Sequence, residues 1–157
     1  MKELIESLEI TDKVDYLLDT CFVYYMFNND HIKKLIRFCQ NNNVGMTSFN
    51  LEELDFNHHK LNGNTVHHLR DFLKKKNISR VDIPVFPGNP QAEKNYISKF
   101  DSEILNVVKD PSDAVMFVAA LKIGASIITR DKHHVFTAAA ENYSSKYKIE
   151  VLNNLPR

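Results

Sequence analysis

Apolar positions switch repeatedly between short runs and a 3.6-residue period, which predicts strands alternating with helices. Val14–Thr20 (Val-Asp-Tyr-Leu-Leu-Asp-Thr) predicts a strand ending at Asp19–Thr20. Helices follow over 22–29 and 31–41, the second with Ile32, Leu35, Ile36 and Cys39 on one face. Val44–Ser48 predicts a second strand, and Asn50 a cap for a helix running to about Leu61. Asn62-Gly-Asn64 marks a turn, and Thr65–Lys76 a helix with Val66, Leu69, Phe72 and Leu73 inward. Ile78–Val85 alternates like a strand, the Pro84–Pro90 cluster is a turn, and Gln91–Lys109 is helical in pattern. Asp110-Pro-Ser-Asp113 opens a further helix, with Asp110 as N-cap and Pro111 at its first position. That helix is apolar nearly all round through Ile123, which predicts burial, and Gly124 ends it. Ala125–Thr129, His133–Lys146 and Lys148–Leu152 complete the pattern as strand, helix and strand.

Short β-branched strands separated by helices predict an α/β three-layer sandwich: a central, mostly parallel sheet of about five strands, flanked by helices. In such sheets ligands bind outside the carboxyl ends of the strands. The positions to inspect are therefore Asp19–Thr20, Ser48–Asn50 and Thr129–Asp131.

The 157 residues fit one domain, and 43% hydrophobic with 25% charged side chains excludes a disordered chain. Two cysteines make no disulfide framework and point to a reducing, cytoplasmic setting. No apolar run reaches the ~20 residues that span a bilayer, so no membrane is expected. The N-terminus is acidic where a signal peptide would be basic and then greasy. A formal net charge of zero hides an asymmetry, because residues 1–30 carry two lysines against seven acids. Residues 58–80 carry six cations against one acid, together with four histidines. A basic face can meet phosphates while an acidic cluster holds cations. Lys74 and Lys75 are candidate substrate contacts, although lysines also close helices by favouring the negative end of the dipole.

Carboxylates fall at the predicted sheet edge. Asp19 and Asp131 end strands, Asp113 lies in the first turn of the apolar helix, and Glu53 lies early in the helix after the second strand. Each has a purely structural use, as a cap or a solvated helix residue. Such uses do not require convergence on one edge. Clustered carboxylates repel and raise one another's pKa, and a divalent cation relieves that penalty. All-oxygen ligands suit Mg²⁺ or Mn²⁺, ions that activate water and stabilise charge on a phosphate oxygen. The residues thus predict a metal-dependent phosphodiesterase site.

Leu17-Leu18-Asp19-Thr20, then Glu53-Leu54, then Asp110-Pro-Ser-Asp113 with its alanine-rich helix, then Ile128-Thr129-Arg130-Asp131, resembles the PIN domain over about Val14 to Leu152. PIN domains are metal-dependent nucleases that include VapC-like toxins. The resemblance implies that Asp19, Glu53, Asp113 and Asp131 hold Mg²⁺ or Mn²⁺. It further implies that Thr20 and Thr129 orient the acids or bind water. RNA would be cut by a metal-activated water, with no nucleophilic side chain. Arg130 and His133, flanking Asp131, join Thr20, Lys74 and Lys75 as expected substrate contacts. Cys21 departs from the Ser or Asn common in the family, and Glu52 beside Glu53 leaves the inward acid to helix register.

The expected function is a metal-dependent endoribonuclease, with the toxin of a toxin–antitoxin pair as one role and RNA processing as another. An antitoxin protein is the partner that the first role would imply. The family also forms homodimers, for which Tyr24–Phe27 offer apolar side chains. The competing expectation is a non-catalytic PIN-like module that binds RNA or protein. A phosphoacceptor receiver domain fits poorly, because no lysine follows the last strand.

Overall fold

The computed structural model describes residues 1–131 and 138–157. Five short strands form one sheet: β1 (Tyr16–Leu18), β2 (Val44–Thr47), β3 (Ser79–Val81), β4 (Ser126–Ile128) and β5 (Val151–Leu152). Their order is β3-β2-β1-β4-β5 and every pairing is parallel, so the sheet is wholly rather than mostly parallel. The flanking helices are α1 (Lys2–Glu6), α2 (Thr20–Asn28), α3 (Ile32–Asn41), α4 (Ser48–Asn57), α5 (Gly63–Lys74), α6 (Pro90–Asp101), α7 (Ile104–Val107), α8 (Pro111–Ile123) and α9 (Ala138–Lys146).

The period-two geometry of strands divides the core into two layers. Leu17 and Ile127 point to one face, where Ile97, Ile104 and the α8 side chains Val115, Met116 and Val118 cover them. Leu18, Ile128, Val44 and Met46 point to the other, against Phe22, Met26, Leu35, Leu69 and Phe72. α8 is buried from Ala114 to Leu121, as its unbroken apolar pattern predicts. Asp110 caps it by accepting from the Ser112 and Asp113 N–H groups, and Gly124 ends it at φ 71°, ψ 31°. Among the described residues, no helix is long and apolar enough to cross a membrane.

Several predicted boundaries shift for identifiable reasons. The strand expected over Ile78–Val85 stops at Val81; beyond it the Ile83 N–H bonds to Ser48 Oγ at 3.0 Å, and Pro84 has no N–H. The helix expected over Gln91–Lys109 is two, α6 and α7, with Asp101 Oδ1 accepting from the Glu103 N–H at 2.9 Å between them. Thr47 rather than Asn50 caps α4, and the helix ends at Asn57 before a 3₁₀ turn over His58–Lys60. Asn62, expected in a turn, caps α5 through its side chain. Of the side chains expected to offer a dimer face, Met26 and Phe27 are buried in the second core layer, while Tyr24 and Tyr25 are partly buried against it.

Topology then fixes where a site can form. β1 sits between β2 and β4, the point at which the chain, having built outward through β2 and β3, crosses back. A crevice opens at such a switch point beyond the carboxyl ends of the strands. The register Leu18↔Ile128 brings Asp19 level with Thr129 there.

The sheet interior also makes a prediction. A Cβ on Gly45, in β2, would lie 2.9 Å from the Ser79 carbonyl oxygen of β3 and 3.0 Å from Val14 Cγ1. Gly45→Ala should therefore cost about 2 kcal/mol through overpacking. For a chain of this size that lowers Tm by about 4–8 °C, which a thermal melt would measure.

Candidate metal centre

A cleft of about 380 Å³ occupies the switch point, lined by Asp19, Thr20, Cys21, Tyr24, Glu53, Asn57, Asp113, Arg130 and Asp131. Four segments distant in sequence deliver its acids. Asp19 follows β1 directly, and Asp131 follows β4 by way of Thr129 and Arg130. Asp113 stands in the first turn of α8, and Glu53 one turn into α4. Glu53 faces the cleft, whereas Glu52 lines a separate depression with Lys2, Arg80 and Phe86. Asp110 caps α8 through Oδ1 and stands near enough for its charge to act on Asp113.

Asp19 is only 8% exposed and is held by side chains from both strand ends. Its Oδ2 accepts from the Thr129 hydroxyl at 2.6 Å and from the Cys21 thiol at 2.8 Å. Thr129 Oγ1 also accepts from the Asp131 N–H at 3.0 Å, so one buried hydroxyl links two of the acids. Thr20 Oγ1 lies 3.0 Å from the Asn50 carbonyl and 3.3 Å from Glu53 Oε2. The Asn50 amide bridges the remaining gap, with Nδ2 3.4 Å from both Asp19 Oδ1 and Glu53 Oε2.

The electrostatics reflect crowded negative charge. Burial raises the Asp19 pKa, opposed by hydrogen bonds from Cys21 and Thr129. Glu53 is pushed up to about 7, first by burial and then by the charge of Asp19. Asp113 is raised to about 8 by burial, by a hydrogen bond with Asp131, and by the charges of Asp131, Asp110 and Asp19. Burial and the Asp19 carboxylate push the Cys21 thiol up to about 12, so it stays protonated and acts as a donor. A protonated thiol is a poor nucleophile.

The donor set fits a hard divalent cation chemically: all four acids offer oxygen, and protons occupy charges that a cation would otherwise balance. Among the described residues, no three acidic, imidazole or thiol groups already form a ready-made coordination shell. The acids instead stand in two linked sets: Asp113 with Asp131, and Glu53 with Asp19 through Asn50.

The expected substrate contacts divide. Thr20 and Arg130 line the cleft. The Arg130 guanidinium lies 4.0 Å from the centre of the Tyr25 ring and donates to the Asn153 carbonyl at 3.1 Å. Lys74 lines a different depression with Met1, Glu3, His67 and Arg70, and Lys75 is the exposed C-cap residue of α5. Neither lysine lines the cleft. His133 lies outside the described residues.

Two polar residues gain roles that the sequence does not assign them, although Asn50 falls within the Ser48–Asn50 strand end marked for inspection. Asn50 lies one helical turn before Glu53, a spacing that places both on one face and could have revealed it. Glu93 on α6 is buried, accepts from the Ser112 hydroxyl at 2.8 Å beside Asp113, and adds its charge to the field at Glu53. No local pattern singles out Glu93, because its role depends on how α6 packs against α8.

These shifts set a pH dependence. Asp19, Glu53 and Asp113 keep their protons to higher pH when folded than when unfolded, so the folded chain binds more protons. For Glu53 and Asp113 the resulting contribution to stability is full below the unfolded carboxylate range, about pH 4, and is lost as pH rises through about 7 to 8. Without added cation, Tm should fall between pH 5 and pH 8, and Asp113→Asn should flatten that fall. Melting curves of both proteins in chelator would check it; equal slopes would contradict the assignment.

No protein-family model, curated protein or solved structure matches the chain.

Proposed function

We propose that the chain is a metal-dependent endoribonuclease of the PIN type. The observation that carries this reading is the convergence of Asp19, Glu53, Asp113 and Asp131, from four separate segments, on one open cleft at the switch point of a parallel sheet. Independent helix caps have no reason to share a cleft, and burial with mutual charge raises the pKa of three of the four acids, a penalty that a cation would relieve.

Asp19, Glu53, Asp113 and Asp131 are the residues that would hold Mg²⁺ or Mn²⁺. When bound, such an ion lowers the pKa of a water and offsets charge developing on a phosphate oxygen. The chain's own groups define the rest. Thr129 fixes one Asp19 oxygen and the backbone of Asp131, keeping strand-end acids in register. Thr20, at the start of α2, ties that helix to α4 through the Asn50 carbonyl and Glu53. The Cys21 thiol is protonated and turned into Asp19, so it serves as a hydrogen-bond donor rather than as an attacking group. Hydrolysis by water, without a covalent intermediate, is the consistent route. Among the described residues, Arg130, braced on Tyr25, is the cation that lines the cleft and is placed to meet a phosphodiester. RNA as the polymer follows from the motif resemblance, which leaves toxin and RNA-processing roles equally open.

The test is cleavage of structured and single-stranded RNAs with Mn²⁺, Mg²⁺ or EDTA, beside Asp113→Asn. Removing a cation ligand should reduce cleavage at least about 10²-fold, while the variant still melts cooperatively. Wild-type cutting in EDTA, or undiminished cutting by the variant, contradicts the proposal. RNA binding without any cutting would instead favour a non-catalytic binding module.

A further inference from the structure

Asn50 is 2% exposed, yet its amide faces two carboxylates rather than apolar packing. Its amide is held from both sides. Thr47 Oγ1 accepts the Asn50 backbone N–H at 3.0 Å and donates to Asn50 Oδ1 at 2.6 Å, which leaves only Nδ2 to face the cleft side. There it meets Asp19 Oδ1 and Glu53 Oε2, both at 3.4 Å, and Thr20 Oγ1 at 3.5 Å. An amide turned the other way would put its oxygen against two acids. The two carboxylates disfavour that turn; the Thr47 hydroxyl could serve either end of the amide, donating to Oδ1 or accepting from Nδ2. Contacts this long restrain the carboxylates without saturating them, so a cation would not have to displace a strong hydrogen bond.

We infer that Asn50 is a positioning residue of the cation site: its amide couples Asp19, which follows β1, to Glu53 on α4 and sets which of their oxygens face the cleft. This rests on the metal-site reading above. Residues that orient ligands in this way typically change metal affinity by 10–100-fold when lost.

The experiment titrates Mn²⁺ into the full chain, following the electron paramagnetic resonance signal of unbound Mn²⁺. Asn50→Leu, close in volume, and Asn50→Ala, which creates no overpacking, should each raise the Mn²⁺ Kd about 10-fold or more. Combined with Glu53→Gln, Asn50→Leu should weaken binding by less than the product of the two single effects, because Asn50 acts partly through Glu53. A merely structural role would give a simple product. If neither Asn50 variant melts cooperatively, Thr47→Val carries the test, since it leaves Asn50 in place and releases its amide. The inference then requires at least a threefold rise in Kd. Wild-type affinity in whichever variants fold, or a strictly multiplicative double variant, overturns the role of Asn50 alone. A wild-type chain that binds no Mn²⁺ overturns the metal-site reading and this inference with it.

Discussion

Repulsion among carboxylates brought together at the carboxyl ends of β1 and β4 is the constraint around which this structure is organised. Four acids at one crevice cannot all ionise cheaply away from bulk water. The chain answers with protons and with donors. Asp113 and Asp131 share a hydrogen bond, and Glu53 is held near neutral pH for its titration. Thr129, Cys21 and Asn50 each aim a donor at Asp19. An arrangement that needed only stability would replace some of these acids with apolar or neutral groups. Their retention together makes sense on the proposed reading, in which a divalent cation supplies the missing charge.

The apolar core makes that concentration of charge tolerable by fixing the elements that carry it. α8 is sealed on every side from Ala114 to Leu121, so the position of its first turn, and of Asp113, follows from packing rather than from the acid itself. Leu17 and Leu18, and likewise Ile127 and Ile128, anchor opposite faces of β1 and β4, which leaves the next residues at the open end of the sheet. Strand register then aligns Asp19 with Thr129, and the 2.6 Å hydrogen bond between them follows. The order of causes runs from alternating apolar residues, to parallel pairing, to a shared edge, to chemistry.

Much of this was legible in the sequence because the signals are local. Asp110-Pro111 and Gly124 bracket α8 by capping chemistry alone, and strand–helix alternation indicates a parallel sheet whose strand ends carry acids. What was not legible depends on tertiary partners. A cap at Thr47 instead of Asn50 lies only three residues away, yet it turns Asn50 from a helix terminus into a strut between two acids. Glu93 gains its place only through the packing of α6 beside Ser112. Phe22 and Phe27 have a periodicity that suits a core or an interface equally, and only the folded chain assigns them to the core. The basic stretch that carries Lys74 and Lys75 was legible as charge but not as location, and those lysines lie outside the cleft lining.

The most direct measurement of the central claim is the number of protons released when Mn²⁺ binds, from calorimetric titrations at pH 7 in buffers of different ionisation enthalpy. Cation binding requires ionised ligands, so it must expel the protons held by Glu53 and Asp113. The account predicts release of about one proton or more per ion at pH 7, falling towards zero by about pH 9 as those groups ionise in advance. Binding with no proton release at pH 7, or no binding at all, would contradict the claim that a cation balances this cluster.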